Sequence, residues 1–253
     1  MQNLKLFIVV AALGLIVCGC RRQTTDTQTK ETKKEQVSIK EAAMDTTLQW
    51  LGHASFKICR QNTVIYIDPW KLKDSPGDAT IVLVSHSHYD HYSAEDIARV
   101  SGSDTKLVAS TDVAEKEKNG ERIMPGMTID LGGVRVSGVA AYNPGKQFHP
   151  KANNWLGFVI EVGSKRIYYA GDTDLTDEMK SLKEIDVALL PVGGTYTMDA
   201  AEAAEATKHI KPEMAIPYHW GDIVGGRADA DKFADTAECE VQILSPGETI
   251  SLQ

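Results

Sequence analysis

The stretch Ile81-Val82-Leu83-Val84-Ser85-His86-Ser87-His88-Tyr89-Asp90-His91 decides how this chain is read. Its first four residues form a continuous apolar run, the mark of a strand buried on both faces. The six residues after Ser85 hold three of the chain's seven histidines, interleaved with a carboxylate. His86 and His88 stand two apart, so in extended backbone they project to the same side. Asp90 and His91 fall where the chain must turn before a helix expected to start at Ser93. Glu95 and Asp96 in the first turn of that helix suit its dipole. A strand end feeding a helix is where α/β proteins place ligands. Imidazole nitrogens and a carboxylate at this density suit Zn²⁺ or a similar divalent ion.

Outward from this stretch the chain is strand-rich and then alternating. Strands are expected at Leu48–Leu51, Ser55–Cys59 and Val64–Ile67 before it. After it they are expected near Lys106–Ala109, Met127–Leu131, Val134–Ala141, Leu156–Val162 and Arg166–Ala170. Helical patterns lie near Thr176–Leu182, Asp199–His209 and Ala228–Ala234. Further strand-like segments are Val187–Val192, Glu213–Tyr218, Glu240–Leu244 and Thr249–Leu252. This is a mixed α/β (α+β) chain with two sheet-forming halves.

Five other motifs follow in order: Trp50-Leu51-Gly52-His53-Ala54-Ser55-Phe56, Ile67-Asp68-Pro69-Trp70, Ala170-Gly171-Asp172-Thr173, Pro191-Val192-Gly193-Gly194-Thr195-Tyr196-Thr197-Met198, and Pro217-Tyr218-His219-Trp220-Gly221. Together with the His-x-His-x-Asp-His run they resemble the metallo-β-lactamase superfamily, in particular its ascorbate-6-phosphate lactonase-like branch. The matches span residues 48–221. The resemblance implies a four-layer αββα sandwich with a dinuclear metal site on one edge of the two sheets. It implies that His86 and His88 hold a first metal, that Asp90, His91 and His219 hold a second, and that Asp172 bridges both. Two divalent ions, zinc first, with manganese or iron as the other candidates, are the implied cofactor. Such ions repel one another at about 3.5–4 Å and need bridging anions. Asp90, Asp172 and one hydroxide set three negative charges against four positive ones, and the positive charge left over favours an anionic group on the substrate. Asp90 would orient the hydroxide or take its proton, which makes it the candidate catalytic residue.

One place departs from the pattern. Relatives supply a third His to the first metal from a strand end where this chain reads Ala140-Ala141-Tyr142-Asn143. Either His149, six residues on, loops back to ligate, or the first site is short of a nitrogen. His53 reads equally as a turn histidine bonded to backbone or as a residue orienting a carboxylate ligand. Tyr196, Tyr218 and Trp220 flank proposed ligands and are candidates for packing or for substrate contact. Lys146 and Lys151 flank His149 and are candidates for binding an anionic group. His209 closes a helix, where the dipole alone accounts for it.

The N-terminus reads differently. Leu6 to Cys18 is an unbroken apolar run of 13 residues behind Lys5. A bilayer span takes roughly 20 such residues, so the run fits the core of a secretory signal. Val17-Cys18-Gly19-Cys20 resembles the bacterial lipoprotein box, which implies a signal peptide over 1–19, a lipidated Cys20 and a membrane anchor. Arg21 to Gln36 contains no aliphatic or aromatic residue. Such a stretch cannot bury enough apolar area to offset its ordering entropy, so 20–45 is expected to be a solvated tether and 46–253 the folded domain.

Charge sharpens the division. The chain carries 27 Lys+Arg against 35 Asp+Glu, net −8. The tether is nearly neutral, with six positive and five negative side chains, so the acidity belongs to the domain. An acidic surface argues against nucleic acid as a partner. Four cysteines are too few for a disulfide framework; export would permit a Cys59–Cys239 bond, the other reading being two isolated small apolar residues, and neither sits in a nucleophile pattern. The sequence thus reads as an exported metal-dependent hydrolase acting on an ester, lactone or phosphodiester bond of a small-molecule or lipid-like substrate. The alternatives are a non-catalytic metal-binding or sensory lipoprotein and a β-lactam hydrolase.

Overall fold

The computed structural model describes residues 45–252. The expected signal segment, Cys20 and all of the tether but Asp45 lie outside the described residues. Among the described residues, no helix is long and apolar enough to cross a membrane.

The first half contributes β1 (Thr46–Gly52), β2 (Ser55–Arg60), β3 (Thr63–Ile67), β4 (Ala79–Val84), α1 (Ala94–Val100), β5 (Ser101–Ala109), α2 (Thr111–Ala114) and β6 (Gly120–Arg122). The second contributes β7 (Thr128–Asp130), β8 (Val134–Ala140), β9 (Leu156–Val162), β10 (Lys165–Tyr169), α3 (Asp177–Lys180), β11 (Val187–Pro191), α4 (Ala200–Ile210), β12 (Met214–Tyr218), α5 (Arg227–Thr236) and β13 (Glu240–Val241). The last strand, β14 (Thr249–Leu252), returns to the first half. Two seven-stranded sheets result, ordered β14-β1-β2-β3-β4-β5-β6 and β13-β12-β11-β10-β9-β8-β7.

Alternation along each strand builds the layers. Ile65, Ile67, Ile81 and Leu83 from the first sheet meet Phe158, Ile160, Ile167, Tyr169, Leu189, Ile216 and Tyr218 from the second in one core. Val82 and Val84 face the other way and pack on Ile97 and Val100 of α1. Tyr168, Ala188 and Leu190 likewise face out, onto Ala203, Ala206 and Ile210 of α4 and Phe233 of α5. The order is therefore helix, sheet, sheet, helix, as a strand buried on both faces at Ile81–Val84 requires.

The helices start where their caps say. Ser93 accepts from the Asp96 amide ahead of α1. Asp199 and Glu202 form a reciprocal capping box at α4, which satisfies two otherwise unpaired donors. The short α2 and β6 carry no periodic signal that would mark them in the sequence. The pattern over Thr176–Leu182 yields only one turn, α3. Cys59 lies in β2 and Cys239 just before β13, in different sheets, and both are free thiols.

Strands β3, β4 and β5 run parallel, as do β10, β11 and β12. Their C-terminal ends deliver Asp68, His86, Asp172 and His219 to one edge of the sandwich.

Candidate metal centre

Three imidazoles form the first group. His86 and His88 leave β4, and His86 Nε2 lies 3.1 Å from His88 Nδ1. His149 arrives on the loop after β8, and the three residues offer nitrogens that lie within 4.8 Å of one another. The loop is turned by Asn143, whose amide donates to the His149 carbonyl at 2.9 Å. His149 Nδ1–H donates to the Asn143 side-chain oxygen at 2.7 Å, because that oxygen can only accept. The proton is thereby placed on Nδ1, and Nε2 is left bare and buried with no hydrogen-bond partner. Trp155 packs beneath all three rings, with centroids 4.7–5.5 Å away.

The second group is Asp90, His91 and His219, joined by His53. Asp90 Oδ2 lies 3.8 Å from His91 Nε2 and 3.9 Å from His219 Nε2. His53 Nε2 lies 3.0 Å from the same oxygen. Its backbone carbonyl accepts from Trp50 Nε1 and from the His219 amide. Both readings of His53 thus hold: it is a turn residue, and its ring orients a carboxylate. Asp172 stands between the groups. Its Oδ2 is 3.3 Å from His149 Nε2 and 3.3 Å from His219 Nε2, and its Oδ1 is 3.1 Å from His91 Nε2.

Asp68, in the Ile67-Asp68-Pro69-Trp70 motif, is a site residue whose role the sequence does not reveal. It is fully buried and gathers donors around His91. Its carboxylate accepts from His91 Nδ1 at 2.7 Å, from Tyr169 OH at 2.6 Å, and from the Ser85 amide and hydroxyl. With its own hydrogen committed to Asp68, the Ser85 oxygen accepts from His86 Nδ1 at 2.9 Å. His86, His91 and His149 therefore share one arrangement, in which Nδ1 donates to the protein and Nε2 is turned toward the other candidate ligands. Such partners fix ring orientation and raise ligand basicity. His53, Asp68 and His219 all adopt left-handed backbone, at φ of 48°, 44° and 62°. Non-glycine residues hold that conformation only where surrounding structure enforces it.

The electrostatics match a cation site. Burial pushes His86 well below the ordinary imidazole range, helped by the charge of His91. Burial, then His149, lowers His88. Burial would raise Asp172, but His219 and His91 hold it well below the usual carboxylate range. Asp90 is lowered against burial by the His53 hydrogen bond and by His91. His91 is raised well above its ordinary value against burial, by Asp172 and then Asp68. Buried Nε2 atoms of His91, His149 and His219 and Oδ1 of Asp172 have no hydrogen-bond partner. Orphaned lone pairs converging on shared points are what divalent cations complete. The donor set thus fits metal ions.

The remaining candidates separate cleanly. Tyr196 lines the cavity above the ligands. Tyr218 is fully buried, donates to the Gly171 carbonyl at 2.6 Å and serves packing. Trp220 packs on Trp50 in a tilted pair with centroids 4.9 Å apart, outside the cavity lining. Lys146 donates to Asp174 at 2.7 Å and to the Gly194 and Thr197 carbonyls, and Lys151 pairs with Glu178. Neither lysine lines the cavity. His209 pairs with Glu205 at the end of α4.

A family model described as "Beta-lactamase superfamily domain" matches residues 47–219. The chain belongs to the metallo-β-lactamase superfamily. Within it, the chain is 38% identical over 199 residues to a UPF0173 metal-dependent hydrolase of Thermoplasma acidophilum, covering 73% of this chain and 87% of that one. Among solved structures it resembles Igni18, a metallo hydrolase from Ignicoccus hospitalis, at TM-score 0.69 and 28% identity over 83% of this chain and 99% of that one. The metallo-beta-lactamase fold protein YhfI of Bacillus subtilis shares the fold at TM-score 0.65 and 14% identity, over 82% of this chain and 99% of that one. This chain is a metal-dependent hydrolase of the UPF0173 group.

Proposed function

We propose that this site holds two divalent ions, zinc first, with manganese or iron as the other candidates, and hydrolyses an ester, lactone or phosphodiester bond. One observation carries the reading: a single oxygen, Asp172 Oδ2, stands 3.3 Å from a nitrogen of each ligand group. A carboxylate so placed is what keeps two cations about 3.5–4 Å apart from repelling one another out of the site. Two such ions, when bound, would lower the pKa of a shared water to about 7 and polarise the oxygen of the scissile bond. His86, His88 and His149 would hold one ion, and Asp90, His91 and His219 the other. Asp90, steadied by His53, would orient the attacking water or take its proton. The motif likeness to the lactonase branch supports an ester or lactone. The 13-residue apolar run and Cys20 support export and lipid anchoring, which would place the activity at a bacterial membrane surface.

The test is metal analysis of the purified chain followed by turnover of p-nitrophenyl acetate. Two ions per chain are expected, with His88→Ala losing at least a hundredfold in kcat/KM. One ion per chain, or full turnover by His88→Ala, would overturn the reading.

A further inference from the structure

The cavity above the metal ligands has a volume of about 270 Å³. Apart from the ligands, its lining is Tyr89, Phe148, Tyr196 and Ile223, with no charged side chain. Among the described residues, four large hydrophobic side chains are exposed, and three of them stand at this mouth: Tyr89 at 68%, Phe148 at 44% and Ile223 at 37%. Apolar groups left in water around a polar centre contribute nothing to the core. A contiguous set of them marks a surface that meets an apolar ligand.

The walls are held in place. Phe148 meets Tyr196 edge to face at 4.7 Å between centroids. Lys146 ties their two loops together through Asp174 and the carbonyls of Gly194 and Thr197. Beside Ile223, Asp222 accepts both oxygens' worth of contact from Lys71, at 2.9 and 3.0 Å. Lys146 is thus turned into the protein's own Asp174 and carbonyls, and Lys71, paired with Asp222, lies outside the cavity lining. A phosphorylated or carboxylated arm would find no side-chain cation in this cavity, whereas an uncharged one would shed water against four apolar or aromatic surfaces.

We propose that the substrate is a neutral ester or lactone bearing an apolar acyl or aryl arm, seated against Phe148, Tyr196, Tyr89 and Ile223. This rests on the hydrolase reading above. Water adds to the acyl carbon and the acyl–oxygen bond breaks. An ester gives an alcohol and a carboxylate, a lactone a single hydroxycarboxylate, with one proton released to solvent. The chain-borne residues supply the selection, since each methylene of the arm transferred from water to this lining favours binding.

The experiment uses the zinc-loaded full chain and p-nitrophenyl esters of straight-chain acids from two to eight carbons. An ester of the same length ending in a free carboxylate serves as the charged control. Binding of the corresponding free fatty acids, read by calorimetry, needs no turnover. Both kcat/KM and affinity are expected to climb by up to about fourfold per methylene. The carboxylate-ended ester is expected to react at least tenfold more slowly than its neutral partner. Phe148→Ala and Ile223→Ala should flatten the climb. A flat series, or preference for the charged arm, overturns the proposal while leaving the esterase reading in place. Affinities that climb with no ester cleaved would support the apolar site and remove the ester reading instead.

Discussion

His149 Nδ1 donates to the side-chain oxygen of Asn143 at 2.7 Å, and that bond brings His149 into the first ligand group. Asn143 lies three residues past the end of β8, at the place where the superfamily resemblance implies a histidine. Here it supplies an acceptor and a turn, and the histidine comes from six residues further on. Removing an outer partner of a metal-ligating histidine typically costs ten- to a hundredfold in metal affinity. Asn143→Ala is therefore expected to weaken zinc at one of two sites by about that factor, read by competition with a chromophoric chelator. Asn143→Asp keeps the acceptor for His149 but loses the amide that donates to Asp174 at 2.9 Å, so it should recover only part of the affinity. Unchanged binding in Asn143→Ala would show that His149 is oriented by something else.

The contrast between His149 and Asp68 shows what a sequence makes legible. The His86–His91 run declares itself because four ligating residues lie within six positions after an apolar strand, and the sandwich follows from alternation around it. His149 could be named as a candidate, but its arrival depends on a loop whose only local sign is an asparagine. Asp68 gives no composition signal at all. Its four donors come from Ser85 just past β4, from Tyr169 of β10 and from His91, a meeting that exists only once the two sheets have stacked. The short α2 and β6 were illegible for a different reason. They are too brief to show a period, and tertiary contact decides them.

His53 acts through Asp90. His53→Ala is expected to lower kcat ten- to a hundredfold while KM stays within about threefold and metal content stays at two. His53→Gln, which keeps an N–H donor, should recover part of that loss. Loss of one ion in His53→Ala would instead make His53 a ligand, an outcome that metal analysis alongside the kinetics separates.

Acid dependence of stability has a contribution outside the metal centre. Asp78 accepts from Lys57 at 2.7 Å and from Tyr66 at 2.9 Å. Burial opposes the shift, but these two donors hold its carboxyl below the ordinary value of 3.8. A depressed carboxylate stabilises the fold above the unfolded pKa, and that contribution is lost as pH falls through the folded one. Asp78→Asn should therefore be less stable than the wild type at pH 7 and converge with it below pH 3.8. With the Asp78 side chain 38% exposed, water screens the pair and the difference should be under about 1 kcal/mol. Urea melts across pH 3 to 7 read it. A gap that is constant over that range would assign the effect to packing.

Gly171 sets the position of Asp172. Its φ is +69°, and a Cβ there would run into the Leu156 carbonyl oxygen. Its own carbonyl accepts from Tyr218 OH, which fixes the peptide that leads into Asp172. Neither the backbone conformation nor the space admits a side chain, so Gly171→Ala must shift the strand end that carries Asp172. The shift falls on the one oxygen facing both ligand groups. Gly171→Ala is expected to lose about 2 kcal/mol or more of stability and to bind the second ion at least tenfold more weakly than the first. Gly138→Ala provides the control. Its Cβ would also meet a backbone oxygen, of Met124 at 2.6 Å, but it lies in β8 and does not press on the peptides that lead into Asp172. It should destabilise comparably without separating the two metal affinities. If both variants affect metal binding alike, the backbone at Gly171 has no special hold on the bridging carboxylate.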